Sequence, residues 1–125
     1  MDTKAVETGT GSGPLDHDYL NRNYIQLGCA DVLKDVIDIF LESSPEKLAC
    51  IKQAAGSGEL TVLTKCAHGM KGESGSVGAR IVNRLAAAIE QAARKDDIEG
   101  VRCLIPELET ELQRAADALK RDYKA

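Results

Sequence analysis

Apolar residues recur every three or four positions through most of this chain, and this spacing limits the available folds more than any other feature. The clearest case is the last segment, where an apolar face continues from Val101 to Leu119. The segments Val82–Ala92 and Val32–Leu41 repeat the same spacing. It matches the turn of an α-helix and differs from the two-residue repeat of a strand. The sequence therefore predicts amphipathic helices.

The composition agrees with a helical fold. Aromatic residues make up only 3% of the chain and tryptophan is absent, whereas leucine and alanine, which favour helices, are frequent. A chain of 125 residues is sized for one domain. We predict an all-α fold, an antiparallel four-helix bundle with additional short N-terminal helical segments, over residues 15–125.

The N-terminal part of the chain should contribute little to the core. Residues 1–14 are rich in Gly, Thr and Ser, and we expect a disordered tail or linker there. A short helix is predicted from Asp16, as N-cap, to Gly28. Within it, His17 stands beside two aspartates without further ligands, so we interpret it as a solvated turn residue rather than a metal ligand.

Two prolines fall inside predicted helices. Pro45 follows two serines, and we expect a break or kink there between two helical segments. Pro106 lies in the last helix, where the apolar spacing resumes in phase beyond it. We therefore expect that helix to bend at Pro106 without ending.

Charge and hydropathy exclude several classes of partner. The formal net charge is −4 and the basic residues are scattered, so no basic patch suggests nucleic-acid binding. No apolar run approaches the roughly 20 residues that a membrane span needs, and the N-terminus lacks a signal-peptide pattern. We expect a cytoplasmic protein that binds neither nucleic acid nor membrane.

The cysteines give no metal-site pattern. They are widely separated and contain no C-x-x-C pair; their positions are Cys29, Cys50, Cys66 and Cys103. We interpret them as reduced, mostly buried thiols, and we expect neither a bound metal nor a cofactor.

One histidine stands out because glycines surround it. His68 lies in a helix predicted from about Glu59 to Ser74, followed by a turn, and Gly69, Gly72 and Gly75 accompany it. A glycine inside a helix costs about 0.5–1 kcal/mol relative to alanine, so this composition needs a compensating role. Projection at about 100° per residue places His68 roughly 150° from the centre of the apolar face. We therefore predict an exposed imidazole.

The neighbours of His68 suggest its chemistry. Gly72 and Gly75, about one and two turns further on, should leave the adjacent surface open to a large partner. Lys71 can place an ammonium near the imidazole, where it would favour an anionic group on a ring nitrogen. This combination suits a neutral imidazole that attacks a phosphoryl group. No carboxylate is evident in the sequence to orient the ring, which argues against a general base.

Other residues of the helix can contact a partner. Thr64 and Lys65 share the predicted solvent face with His68, and we expect them to take part in docking. A metal or redox centre built from Cys66 and His68 is a weaker hypothesis, because the two side chains point in different directions on a helix.

The residues Ala67-His68-Gly69-Met70-Lys71-Gly72, followed by Val77-Gly78-Ala79, resemble the signature of the histidine-containing phosphotransfer (HPt) domain. The resemblance extends over about Leu15 to Leu119. Two positions differ from the usual pattern. Gly69 replaces a larger polar residue, and Glu73 adds a negative charge where a small or polar residue is common.

The resemblance implies a function. His68 would accept a phosphoryl group from the aspartate of a response-regulator receiver domain and pass it to another receiver. The partners would be receiver domains and a hybrid sensor histidine kinase, with Mg²⁺ supplied by the receiver. The chain would be a monomeric carrier without kinase activity of its own. The alternative is a helical docking module for a receiver or sensor kinase that carries no phosphate.

Overall fold

Helices account for nearly all of residues 13–124, the part of the chain that the computed structural model describes. Helix α1 continues into a short π-helical segment, and four long helices follow. The bounds are α1 His17–Leu20, the π-helical segment Asn21–Ile25, α2 Ala30–Ser57, α3 Leu60–Ser76, α4 Arg80–Arg94 and α5 Ile98–Tyr123. The described residues contain no strand. The predicted all-α class is confirmed, whereas most of the predicted tail lies outside the described residues.

The four long helices form a closed bundle. Helices α2 and α4 each pack against both α3 and α5. Neighbours in sequence run antiparallel because their connections have only two or three residues. Two glycines with positive φ stand at these connections, Gly58 after α2 and Gly78 before α4. Other residues adopt this backbone conformation only with strain.

Aliphatic side chains from all four long helices fill the bundle. The largest fully buried ones include Ile37, Leu63, Met70, Ile89 and Leu108. Their burial supplies the main driving force for packing the helices together. Among residues 13–124, no helix has the length and apolar character that crossing a bilayer requires.

The N-terminal segment covers the turn between α3 and α4. The Asp16 carboxylate accepts a hydrogen bond from the backbone N–H of Tyr19 at 3.0 Å, which confirms the predicted N-cap. The Asp16 N–H donates to the carbonyl of Gly78 at 2.8 Å. The Tyr24 hydroxyl donates to the carbonyl of Ser76 at 2.9 Å. These bonds hold the segment against one end of the bundle.

His17 has a protein partner that the sequence did not suggest. Its Nε2 lies 3.1 Å from Oδ2 of Asp122, and its ring stacks on Tyr123 with centroids 6.0 Å apart. The side chain is exposed, as expected for a turn residue. It thus connects the N-terminal segment to the end of α5.

Two of the four cysteines are bonded to each other. Cys50 on α2 and Cys66 on α3 form a disulfide with Cα atoms 6.4 Å apart. Of the free thiols, Cys29 is partly buried and Cys103 is exposed. The prediction of reduced thiols is therefore wrong for Cys50 and Cys66, because the antiparallel packing of α2 on α3 places one opposite the other. Cys29 and Cys103 are free, but neither is fully buried.

Helix α2 runs without a break through Pro45, so of the two expected alternatives, a break or a kink, the break is wrong. Phe40 and Ser44 are buried before the proline and Ile51 after it, which keeps one face of α2 against the core. Proline inside a helix costs about 3 kcal/mol through its missing N–H and its ring. Burial of both halves on the same core offsets this cost. Helix α5 also continues through Pro106, as predicted.

We predict that Pro45→Ala stabilises the protein by about 1–3 kcal/mol, because alanine restores a helical hydrogen bond at an exposed position. Urea unfolding followed by circular dichroism measures the change. Pro106→Ala in α5 is the matched variant and should act in the same direction. A loss of stability in Pro45→Ala would instead indicate that a helix begins at this proline.

Candidate functional site

His68 lies near the middle of α3 on its solvent side. Its side chain is 65% exposed, whereas Leu63, Ala67 and Met70 of the same helix are completely buried. The helical projection predicted this orientation. The imidazole therefore stands on the outer surface of the bundle rather than in a pocket.

A carboxylate from α4 orients the imidazole. The Nδ1 atom of His68 lies 2.9 Å from Oε2 of Glu90, whose side chain is only 6% exposed. The expectation that no carboxylate orients the ring is therefore wrong. An ionised carboxylate can only accept, so Nδ1 carries the proton and donates it. In the neutral imidazole, the lone pair then belongs to Nε2.

Two cations share the same carboxylate. The Lys71 ammonium lies 2.8 Å from Oε1 of Glu90, and the Arg94 guanidinium lies 2.8 Å from Oε2. Hydrogen bonds from Lys71, then Arg94 and to a lesser degree His68 lower the pKa of Glu90 from an ordinary 4.5 to about 2, although burial opposes them. Glu90 is therefore ionised at neutral pH. Lys71 lies near His68, as predicted, but its ion pair is with Glu90.

Sequence reasoning missed Glu90 and Arg94, although one signal was present. Glu90 falls on the apolar stripe of α4, four residues after Ala86 and three before Ala93, and all three are buried. A carboxylate on a buried face is rarely left unpaired. Arg94, four residues on, is one partner that helical spacing could have suggested.

The two glycines expected to clear the surface differ in their surroundings. Gly72 is exposed, and a β-carbon there would meet no atom within 4 Å beyond its own helix. At Gly75 a β-carbon would lie 3.3 Å from Nδ2 of Asn83. That Asn83 amide donates to the carbonyl of Lys71 at 2.8 Å. Gly72 thus leaves open surface, whereas Gly75 belongs to the close packing of α3 on α4. The expected position of Gly75 on the open surface is therefore wrong.

Thr64 and Lys65 line an open cleft between the start of α3 and the end of α4. The cleft has a volume of about 480 Å³ and also includes Arg94. The Thr64 hydroxyl donates to the carbonyl of Leu60 at 2.8 Å, within its own helix. Lys65 is exposed. A docking role for Thr64, Lys65 and Gly75 stays a prediction.

The two positions that differ from the usual signature both lie beside Lys47 of α2. A β-carbon at Gly69 would lie 2.7 Å from Cε of Lys47, because the Lys47 side chain crosses α3 at this glycine. The Lys47 ammonium then lies 2.6 Å from Oε2 of Glu73. The Ser43 hydroxyl donates to Oε1 of Glu73 at 2.6 Å. The charge of Glu73 is therefore paired with α2 rather than left free near the imidazole.

A metal centre built from Cys66 and His68 is not formed. The sulfur of Cys66 is bonded to Cys50, so it cannot act as a thiolate ligand in this state. Over residues 13–124, no group of three or more His, Cys, Asp or Glu side chains is arranged to hold a metal ion.

Comparison with models of protein families finds a match to this chain. The family model described as "Hpt domain" matches residues 35–120, more than half of the chain. The chain belongs to the Hpt domain family. The matched range contains His68, Lys71 and Glu90 and extends from α2 to α5. No curated protein and no solved structure matches the chain significantly.

Membership of the Hpt domain family indicates the general function of the chain. Hpt domains are helical phosphocarriers that interact with receiver domains and kinases in phosphorelays. This Hpt domain is therefore a phosphotransfer module of two-component signalling. The match begins within α2, so it does not include α1 or the π-helical segment.

We predict that Glu90→Gln destabilises the fold at pH 7 by on the order of 2 kcal/mol, because Lys71 and Arg94 lose their shared carboxylate. The pKa of Glu90 is lower in the folded state, so the stabilisation is present above pH 4.5 and is lost as the pH falls towards about 2. Unfolding in urea at pH 7, 4.5 and 3 should show wild type and variant converging in acid.

Glu109→Gln is the matched control, because Glu109 forms an ion pair with Lys52 on an exposed part of the surface. It should change stability by less than about 1 kcal/mol. A stability difference between wild type and Glu90→Gln that stays constant down to pH 3 would contradict the ionised, paired state of Glu90.

Proposed function

We propose that this chain is a histidine phosphotransfer protein of a multistep phosphorelay. His68 accepts a phosphoryl group from a receiver-domain aspartate and passes it to another receiver domain. One observation carries the proposal: an exposed imidazole whose Nδ1 is bonded to a buried, ionised Glu90, so that Nε2 is the nitrogen left to react.

The transfer begins at Nε2. Its lone pair attacks the phosphorus of the aspartyl phosphate, the N–P bond forms, and the P–O bond to the aspartate breaks. The aspartate leaves as a carboxylate. Nδ1 keeps its proton, so the phosphorylated ring is cationic, and Glu90 at 2.9 Å stabilises that charge. Attack by the next receiver aspartate on phosphorus reverses these steps.

Lys71 stabilises the negative charge of the phosphoryl group. A phosphoryl group brings a charge of about −2 near neutral pH. The Lys71 ammonium has three donors, and its contact of 2.8 Å with Glu90 uses one of them. The ammonium can therefore bond Glu90 and a phosphoryl oxygen together. Arg94 keeps Glu90 ionised from the other side.

The other components come from the partners. A receiver domain supplies Mg²⁺ and the acidic cluster that binds it. A hybrid sensor kinase supplies the phosphoryl group upstream. The chain itself acts as a carrier without kinase activity, as a monomer in the cytoplasm. Its exposed imidazole and the open surface at Gly72 support access by a large partner.

We predict that His68→Gln abolishes acceptance of labelled phosphate from a phosphorylated receiver domain. His17→Gln is the matched control, because His17 is the other histidine of the chain and is bonded to Asp122. It should accept label at the wild-type rate. Nuclear magnetic resonance of the histidine-labelled protein should place the phosphoryl group on Nε2.

Acceptance of label by His68→Gln would exclude His68 as the carrier. A wild-type chain that binds receivers yet never accepts label from any of a panel would support the docking module without phosphate instead.

We predict that Gly72→Gln slows transfer at least about tenfold while changing stability by only about 1 kcal/mol, because the new side chain stands one turn from the imidazole on the open surface. Gly56→Gln is the control: Gly56 is also exposed in a helix, and a β-carbon there meets no atom within 4 Å. Equal transfer rates in both variants would refute the role of the open surface.

A further inference from the structure

Three contacts follow one another along the line where α2 meets α3, which we call the α2–α3 seam. Each contact joins one residue of α2 to the residue opposite it on α3. They are the disulfide Cys50–Cys66, the crossing of Lys47 over Gly69, and the hydrogen bond from Ser43 to Glu73. Successive contacts are three or four residues apart on both helices, which is one helical turn.

The seam passes directly beside His68. Cys66 precedes the histidine by two residues and Gly69 follows it. Because Gly69 has no side chain, the Lys47 chain and the disulfide hold α2 against this turn of α3. The ion pair of Lys47 with Glu73 is partly exposed, with side chains 29% and 23% accessible. Such pairs contribute little by themselves, so within the seam the covalent bond between Cys50 and Cys66 is the stronger of these two links.

We propose that Cys50 and Cys66 form a reversible disulfide that regulates phosphoryl transfer at His68. The proposal rests on the proposed function, since it concerns the rate at that site. A disulfide in an intracellular protein is commonly transient or redox-sensing rather than a permanent brace. Neither cysteine is fully buried, which favours exchange with a small oxidant or reductant in solution.

The reaction is a thiol–disulfide exchange with a low-molecular-weight disulfide such as oxidised glutathione. The thiolate of one cysteine attacks the disulfide, forms a mixed disulfide and releases one glutathione thiolate. The thiolate of the second cysteine then attacks the protein sulfur of the mixed disulfide and releases the second glutathione. The two cysteines are oxidised, glutathione disulfide is reduced, and two protons pass to solvent or to the released thiolates.

The redox state changes how firmly α3 is placed at the histidine. When the disulfide is closed, it joins α2 to α3 one helical turn away from the contact of Lys47 with Gly69. With the bond open, two thiols replace it, and the Lys47 and Ser43 contacts hold this part of the seam together with the buried core. Phosphoryl transfer depends mainly on positioning, so the oxidised form is the faster carrier.

The experiment uses the full chain with Cys29→Ser and Cys103→Ser, which removes the two free thiols. The protein is treated with oxidised glutathione or with dithiothreitol and desalted, and its free thiols are counted. Transfer of label from a phosphorylated receiver is then timed in each state. We expect the oxidised form to accept label about three- to tenfold faster than the reduced form. A chain that also carries Cys50→Ser and Cys66→Ser should show the slower rate after either treatment.

Two results would overturn the proposal. One is a pair of free thiols that persists in oxidised glutathione, which excludes the bond. The other is an equal, measurable transfer rate in both states when thiol counts show that the bond has closed and opened. If neither state accepts label although the bond is shown to close, the proposed phosphotransfer function has failed. The proposed regulation then fails too, because there is no transfer rate to regulate.

Discussion

The site depends on one buried carboxylate. An ionised group with little access to water must be compensated by charged or hydrogen-bonding partners, and Glu90 has three of them. Together they connect the centre of α3 to the end of α4 and fix the imidazole of His68. Replacing such a cluster by apolar side chains often leaves a fold as stable or more stable. We therefore relate the cluster to the chemistry proposed for His68 rather than to the stability of the bundle.

Features that depend on local spacing could be predicted from the sequence. The helices follow from apolar residues three and four apart, as in Val101–Leu119, because this spacing alone gives one buried face. The exposure of His68 follows from the same rule applied to α3, where Leu63, Ala67 and Met70 define the opposite face. The open position of Gly72 was predictable for the same reason. The cap at Asp16 also depends only on residues near it in sequence.

Features that depend on the register between helices could not be predicted in this way. Glu90 lies 22 residues from His68, Lys47 lies 22 residues from Gly69, and Cys50 lies 16 residues from Cys66. Each pair meets because the two antiparallel helices pack in one particular register, and this register is set by the packing of all the core side chains together. Pro45 shows the same limit, since a local preference for a helix start is overruled by burial on both sides of it.

The crossing of Lys47 over Gly69 has a consequence for the evolution of the family. A β-carbon at position 69 would lie 2.7 Å from Cε of Lys47, so a larger residue there would displace the flexible end of the lysine stem. The ion pair of Lys47 with Glu73 would be disturbed, and the Ser43 hydroxyl would remain as a hydrogen-bond donor to that carboxylate. A larger residue at position 69 of a related chain would therefore reposition the lysine stem and change the pairing of Glu73, so these three positions interact although only two of them are charged.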